Sequence, residues 1–198
     1  MNIKQAIEEY VGVDEQIQLN DIDINPEEIK AILINEVVPA YPENDFYSAE
    51  DAAYMETTIP LFQKAGIDVT NIQEILTHGI YITNAVKTPK TEYAVEKESI
   101  ERSLPYLEKE LALFPNVQVI MLMGDVAKKC FNRITKKATK KNAVPAVSTY
   151  KLRKSELFYD GIRIMPSYIM TGKNILIEKS KVQMASEDLA TTFEIISK

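Results

Sequence analysis

The sequence predicts an α/β fold, built as three layers (α/β/α) around a central, mainly parallel sheet of four strands. Short apolar runs of strand length alternate with segments of helical periodicity along the chain, as in folds with a parallel sheet. The length of 198 residues, with 45% hydrophobic and 26% charged residues, suits a folded domain with its own core. We therefore expect residues 1–198 to form a single domain.

The first half of the chain contains two buried strands and a helix between them. The run AILIN at 31–35 begins with four consecutive apolar residues, as expected of a strand covered on both faces. A helix is predicted to begin at Ser48 as its N-cap and to be interrupted by Pro60. The run IYITNA at 80–85 is the second predicted strand.

The second half of the chain supplies the remaining strands. Apolar residues at helical spacing predict a helix over residues 98–113, and the run VQVIMLM at 117–123 has the strongest pattern of a buried strand. Gly124 then turns the chain into the next helix. Asp160-Gly161 within LFYDGIRIM permits the positive φ angles of a two-residue hairpin turn. A helix of roughly twenty residues closes the chain.

Cysteine content argues against several kinds of site. Cys130 is the only cysteine, so the chain can form neither an internal disulfide nor a cysteine cluster for zinc or for an iron–sulfur centre. Its helical surroundings predict a small buried side chain rather than a nucleophile. We expect no metal and no cofactor.

The apolar runs are too short to span a membrane. The N-terminal segment has no apolar signal core and carries acids early. It predicts instead a short helix with Ile3, Ile7, Tyr10 and Val11 on one side. From these features we expect a cytoplasmic protein, and we expect it to be a monomer.

Positive charge is concentrated in one segment. The net charge is −6, and an acidic protein that binds nucleic acid needs a local concentration of positive charge. A basic run without any acid consists of Lys128, Lys129, Arg133, Lys136, Lys137, Lys140 and Lys141. Such a run is usually a solvated helix end, and the alternative is a contact surface for phosphate groups.

Ligands of open parallel sheets bind beyond the carboxyl ends of the strands. The loops at those ends begin with Asn35-Glu36, Asn84, Gly124-Asp125 and Pro166-Ser167-Tyr168. The aromatic pair Phe46-Tyr47 lies in the loop after the first strand. A ring can stack on a nucleobase, an amide can pair with its edge, and a carboxylate can stabilise a cationic sugar. The set therefore suits recognition of a planar polar ring.

Four segments, in the expected order, resemble motifs of the uracil-DNA glycosylase superfamily. LINEVVP is similar to the G-E-A-P-G motif of the iron–sulfur branch, and YITNAVK is similar to a strand that ends in N-x-V-K. VQVIMLMGDVA resembles the strand and turn V-I-x-x-L-G-x-x-A, and IRIMPSY resembles the segment that carries H-P-S. The resemblance covers roughly residues 30–190 and implies the fold of that superfamily.

The resemblance implies a role for each matching residue. Glu36 would activate or position the attacking water, Phe46 would stack on the flipped base, and Tyr47 would crowd the C5 edge of its ring. Asn84 would hydrogen-bond the edge of the base, and Met165 would lie beside it. The residues expected to contact DNA are Gly124, Pro166 and Ser167, together with Lys128, Lys136 and Lys137 of the basic run. The implied partner is DNA with one base turned out, and the implied reaction is hydrolysis of its N-glycosidic bond.

Met165 stands where the superfamily has the histidine of H-P-S. In the family that histidine donates to the uracil carbonyl as negative charge develops, and a thioether cannot donate. Loss of one such donor typically costs about 100- to 1,000-fold in rate. His78, the only histidine, precedes the second strand and is expected at the surface. Asn35 and Pro39 replace the two glycines of the first motif, and without the cysteines of the iron–sulfur branch the chain would be a cluster-free member.

Three functions remain open from the sequence. The first is a glycosylase of low activity for uracil or another damaged base, and the second is a catalytically impaired protein that has kept the DNA or nucleobase pocket. The third is an unrelated α/β enzyme that binds a nucleotide or phosphate ester at Gly124-Asp125, although the chain lacks the phosphate-loop and dinucleotide fingerprints. Each site residue taken alone has an ordinary structural explanation, and their order along the chain is what favours a site.

Overall fold

The computed structural model describes residues 1–90 and 95–198. Within those residues the strands are β1 (Ala31–Val37), β2 (Ile80–Val86), β3 (Val119–Met123), β4 (Leu157–Tyr159) and β5 (Ile162–Ser167). They form one sheet in the order β2-β1-β3-β5-β4, and only the β4–β5 pair is antiparallel. The prediction of an α/β fold with a mainly parallel sheet is confirmed. The described sheet has five strands rather than four, because the first strand of the hairpin also pairs at the edge.

Helices cover both faces of this sheet and give the predicted three layers. The described α-helices are α1 (Ile3–Val11), α2 (Ala53–Lys64), α3 (Ile72–Thr77), α4 (Lys97–Ala112), α5 (Asp125–Thr139), α6 (Thr149–Leu152) and α7 (Lys179–Ile196). Short 3₁₀ turns lie at Pro26–Glu28, Pro42–Asn44 and Lys173–Leu176. Helices α1, α4 and α5 pack on one face, and α2, α3 and α7 pack on the other. No helix in the described part of the chain has both the length and the apolar character that a membrane crossing requires.

Alternate residues of each strand serve the two faces of the sheet. In β1, Ile32 and Ile34 join the core beneath α4 and α5, whereas Leu33 joins the core beneath α2 and α7. Both faces are covered, which is why the run is apolar at every position. The same alternation continues to the end of the strand, so the side chains of Asn35 and Glu36 leave opposite faces of the sheet.

The predicted hairpin turn is confirmed, and the predicted start of α2 is wrong. Asp160 and Gly161 have positive φ angles of 51° and 77°, as the predicted turn requires. Helix α2 begins at Ala53 rather than after Ser48, because the Ser48 hydroxyl donates instead to the carbonyl of Pro42. Pro60 lies inside α2 and does not interrupt it. It occupies the exposed side of the helix, where water can bind the carbonyl that loses its partner.

Candidate functional site

A chain of buried hydrogen bonds joins the carboxyl ends of β1 and β2. Asn35 and Asn84 are register partners, and the amide of Asn35 donates to the side-chain oxygen of Asn84 at 2.8 Å. The amide of Asn84 donates in turn to a carboxylate oxygen of Asp45 at 2.9 Å. The hydroxyl of Thr171, in the loop after β5, donates to the side-chain oxygen of Asn35 at 3.0 Å. We call Asn35, Asn84, Asp45 and Thr171 the asparagine network.

Asp45 is the buried carboxylate at one end of this network. Besides the Asn84 amide, it accepts from the backbone N–H of Phe46 at 3.0 Å and from the side-chain amide of Gln18 at 2.9 Å. Burial raises the pKa of Asp45, and these donors oppose the rise. The carboxamide of Asn84 therefore has both a donor and an acceptor within the protein, and its side chain is only 2% exposed.

Phe46 is fully buried, in the core beneath α2 and α7. Its ring contacts Tyr54 of α2, with ring centroids 5.2 Å apart and planes inclined by 51°. The hydroxyl of Tyr54 donates to the carbonyl of Val37 at 2.7 Å, which fixes the tyrosine between Phe46 and the loop after β1. The ring predicted to stack on a flipped base is thus packed against Tyr54 of the same protein.

Tyr47 is bound to the edge of the sheet. Its hydroxyl donates to the carbonyl of Ile82 at 2.8 Å and accepts from the N–H of the same residue at 2.9 Å. Its ring stacks on Tyr81, with centroids 5.8 Å apart and an interplanar angle of 17°. Since β2 is an edge strand, this contact satisfies backbone groups that would otherwise lack a partner strand.

Glu36 lies on the opposite face, at the start of α5. Its carboxylate accepts from the backbone N–H of Val126 at 2.8 Å, a favourable position for negative charge at a helix N-terminus. A Cβ atom added to Gly124 would lie 2.7 Å from the Glu36 side chain, so this glycine lets the carboxylate approach the turn. Burial raises the pKa of Glu36, the neighbouring Asp125 adds to the rise, and the Val126 N–H and Lys90 oppose it.

In the described part of the chain, Glu36 lines two clefts. The first, which we call the helix cleft, has a volume of about 590 Å³ and is bounded by the start of α5, by α6 and by the loop after β5. The second, the loop cleft, has a volume of about 630 Å³ and is bounded by the loops after β1 and β5. Neither is lined by Phe46 or Asn84. Within residues 1–90 and 95–198, Glu36 therefore shares neither of these clefts with Asn84 or Phe46, because the alternation along β1 directs its side chain to the other face of the sheet.

The segment resembling H-P-S lies beneath α7. Met165 is in the middle of β5, and its sulfur accepts from the hydroxyl of Thr192 at 3.0 Å. Pro166 is buried, and the fully buried Ser167 donates its hydroxyl to Asp188 at 2.7 Å. Both side chains are covered, although Ser167 lines the helix cleft, and the contacts of Pro166 and Ser167 with DNA stay a prediction.

Ser167 and Tyr168 of this segment line the helix cleft, and the residue that follows the segment is Ile169. Ile169 lines both clefts beside Glu36, and its Cγ2 lies 2.8 Å from the position of a Cβ added to Gly124. The motif comparison missed Ile169 because it lies two residues beyond the end of β5, where periodicity gives no signal. Its position follows from the strand register. Ser167 pairs with Met123, so the residues after Ser167 lie beside the turn at Gly124.

The basic run begins in the first turn of α5 and continues beyond its end. Lys128 has a side chain only 14% exposed, and its ammonium bonds Asp125 and the hydroxyl of Thr149, each at 3.0 Å. It therefore ties α5 to α6. Lys136 and Lys137 lie about 12–14 Å further along α5 at 1.5 Å per residue. The predicted contact of these three lysines with DNA stays a prediction.

Other reactive side chains lie apart from the clefts. Cys130 is fully buried, and burial raises its pKa to about 12, which keeps the thiol protonated. His78 is exposed at the end of α3, with its ring edge-on to Phe193 at 5.3 Å. Within residues 1–90 and 95–198 there is no cluster of three or more His, Cys, Asp or Glu residues placed to hold a metal ion.

The raised pKa of Glu36 predicts a specific pH dependence of stability. Because the folded-state pKa lies above the ordinary value of 4.5, folding favours the protonated carboxyl. The contribution of the protonated Glu36 to stability is complete below that value and is lost as the pH rises through the raised pKa. Relative to Glu36→Gln, the wild type should therefore lose unfolding free energy as the pH rises above 4.5, measured by urea denaturation. A difference that stays constant or grows over this range would contradict the burial of Glu36.

The comparisons with known proteins identify one family. The family model of the uracil DNA glycosylase superfamily matches residues 49–182, more than half of the chain. The matched range includes Asn84, Gly124 and the segment 165–167, whereas Glu36 and the Phe46-Tyr47 pair precede it. No curated protein matches the sequence.

Proposed function

Because the chain belongs to the uracil-DNA glycosylase superfamily, we propose that it binds DNA as a catalytically impaired member, with the pocket for a flipped base filled by its own side chains. Membership in the superfamily suggests a function of the DNA-glycosylase type. The arrangement at the strand ends favours the catalytically impaired form of that function.

The observation that supports this proposal is that Asn84 and Phe46 already have partners within the protein. Asn84 is 2% exposed and bonded to Asn35 and Asp45, so a base could reach its amide only if the groups that cover it moved, and each buried polar group left unpaired by that movement costs about 1–3 kcal/mol. A base that stacked on Phe46 would have to displace Tyr54, which is held by its bond to Val37. The free energy needed to open the pocket therefore weakens the binding of a flipped base.

Neither Met165, at the position of the family's histidine, nor Ile169, beside Glu36, supplies a donor for the departing base. Ile169 reaches the clefts and has only hydrocarbon atoms, and Met165 lies under α7. Neither side chain can stabilise negative charge on a leaving base by hydrogen bonding. Absence of one such donor typically lowers the rate by about 100- to 1,000-fold.

Positive charge at the clefts supports binding of DNA. Lys90 and Lys173 line the loop cleft, and Lys181 lines the helix cleft. In a chain with a net charge of −6, such local lysines are the groups that would meet phosphates. Affinity should then depend on the release of counterions from the DNA.

Fluorescence anisotropy with a labelled single-stranded oligonucleotide over a salt series tests this binding. We expect the affinity to fall with salt, with a log–log slope of about −2.1 for three neutralised phosphates, one for each of these lysines. Lys181→Ala should make the slope shallower by about 0.7, whereas Lys137→Ala, on a lysine 78% exposed at the far end of α5, should not change it. Absent or salt-independent binding would contradict the proposal.

A second function, slow base excision, is favoured by the position of Glu36. Its carboxylate lines both clefts, and an ionised carboxylate can stabilise the cationic sugar of the transition state. The test is uracil release from a single-stranded oligonucleotide with enzyme in excess. Release that Glu36→Ala removes would favour excision, and no release above buffer would leave DNA binding as the function.

A further inference from the structure

Two tyrosines line the helix cleft, each with a lysine ammonium against its ring. Tyr150 of α6 is 54% exposed, and Nζ of Lys154 lies 4.8 Å from its ring centroid. Tyr168, in the loop after β5, is half-buried, and Nζ of Lys181 on α7 lies 5.8 Å from its centroid. Both contacts place a cation over an aromatic face.

The packing of the domain does not account for the exposure of Tyr150. In α6 the buried residues are Thr149 and Leu152, and Leu152 is the one that enters the core beneath α4 and α5. Tyr150 lies on the other side of this short helix, towards the cleft. An exposed aromatic ring beside a cation is a stacking surface for a nucleobase whose phosphate can reach that cation.

The acidic residues of the same cleft already have partners. Asp125 bonds Lys128 at 3.0 Å, Glu178 bonds Lys181 at 3.2 Å, and Glu36 accepts from the N–H of Val126. Their negative charge is therefore partly compensated where a phosphate would pass. Lys154 adds a positive charge beside the ring of Tyr150.

We propose that the helix cleft binds a single-stranded stretch of DNA, with one base stacked on Tyr150, another on Tyr168, and their phosphates on Lys154 and Lys181. The inference rests on the proposed DNA binding and specifies the form of DNA. Bases in a duplex are stacked on one another and cannot offer their faces to the two rings, whereas unpaired bases can. Stacking of this kind accepts any base, so no sequence preference is required.

Anisotropy with the full chain tests the inference, with a labelled oligothymidine strand and a labelled hairpin duplex as probes. We expect the single strand to bind at least about tenfold more tightly than the duplex. Tyr150→Ala and Tyr168→Ala should each weaken single-strand binding by about 5- to 150-fold, and Tyr150→Phe should restore it. The matched control is Tyr10→Ala, since Tyr10 is 75% exposed with Nζ of Lys109 4.2 Å from its centroid but lies on α1, outside the cleft.

The outcomes separate this inference from the proposed function. Equal binding of strand and duplex, or wild-type binding by Tyr150→Ala, would overturn the stacking site and leave DNA binding in place. Binding of neither probe would overturn both. Because Tyr168 is partly packed, its alanine variant is compared with Tyr168→Phe, and the more exposed Tyr150 decides the result if Tyr168→Ala fails to fold.

Discussion

Replacing Lys87 by methionine should lower the free energy of unfolding by about 3–5 kcal/mol. Lys87 follows β2, is 2% exposed, and donates to the carboxylate of Glu110 on α4 and to the hydroxyl of Thr83 at 2.8 Å. Glu110 is fully buried and also accepts from the hydroxyl of Tyr81 at 2.6 Å. Methionine fills a similar volume without charge, so the substitution leaves a carboxylate in the core without its cation.

Urea denaturation of three variants measures this effect. Lys87→Met combined with Glu110→Leu should be more stable than Lys87→Met alone, because the uncompensated charge is then gone. Lys137→Ala serves as the control, since its ion pair with Glu108 spans 3.8 Å at the surface and such pairs contribute about 0–1 kcal/mol. A Lys87→Met protein as stable as the wild type would show that the buried ion pair does not hold α4 to the sheet.

Replacing Gly124 by alanine should lower the free energy of unfolding by about 2–6 kcal/mol. Gly124 has a φ angle of 110°, which residues with a side chain rarely adopt. The backbone strain of alanine at this angle accounts for part of the loss. The added Cβ would also lie 2.7 Å from the Glu36 side chain and 2.8 Å from Ile169. The turn would have to open, and Glu36 would lose its hydrogen bond to Val126.

Gly12 provides the matched control for this substitution. Its φ angle is also 110°, yet an added Cβ would meet nothing within 4 Å, so Gly12→Ala should lose only the strain contribution of about 1–3 kcal/mol. The difference between the two variants isolates the crowding at Gly124. In a Glu36→Ala background that difference should shrink, because one of the two crowding side chains is absent. Equal losses at the two glycines would mean that Glu36 does not pack against the turn.

Much of the fold was predictable because its signals are local. The apolar run 31–35, the hairpin dipeptide Asp160-Gly161 and the helical spacing of the C-terminal segment each determine an element over a few residues. The start of α2 was not predictable in this way. Ser48 has the chemistry of an N-cap, but its hydroxyl bonds Pro42, and nothing in the neighbouring sequence distinguishes these two uses.

The candidate site was predicted less well, because it depends on the face of the sheet to which each side chain points and on hydrogen-bond partners that are far apart in the sequence. Glu36 and Asn84 do lie at the carboxyl ends of their strands, but alternation along β1 sends Glu36 to α5 and leaves Asn35 as the partner of Asn84. Their remaining partners, Asp45 and Thr171, come from loops far apart in the sequence. No spacing rule connects these residues before the chain is folded.

The most direct test of a filled base pocket compares two single-stranded oligonucleotides that differ only in one uracil or thymine. A pocket occupied by Tyr54 and the asparagine network cannot read the base, so we expect the two affinities to agree within about a factor of two. Binding of the uracil strand that is tighter by about tenfold or more, and a preference that Asn84→Ala abolishes, would show that the pocket opens and reads uracil.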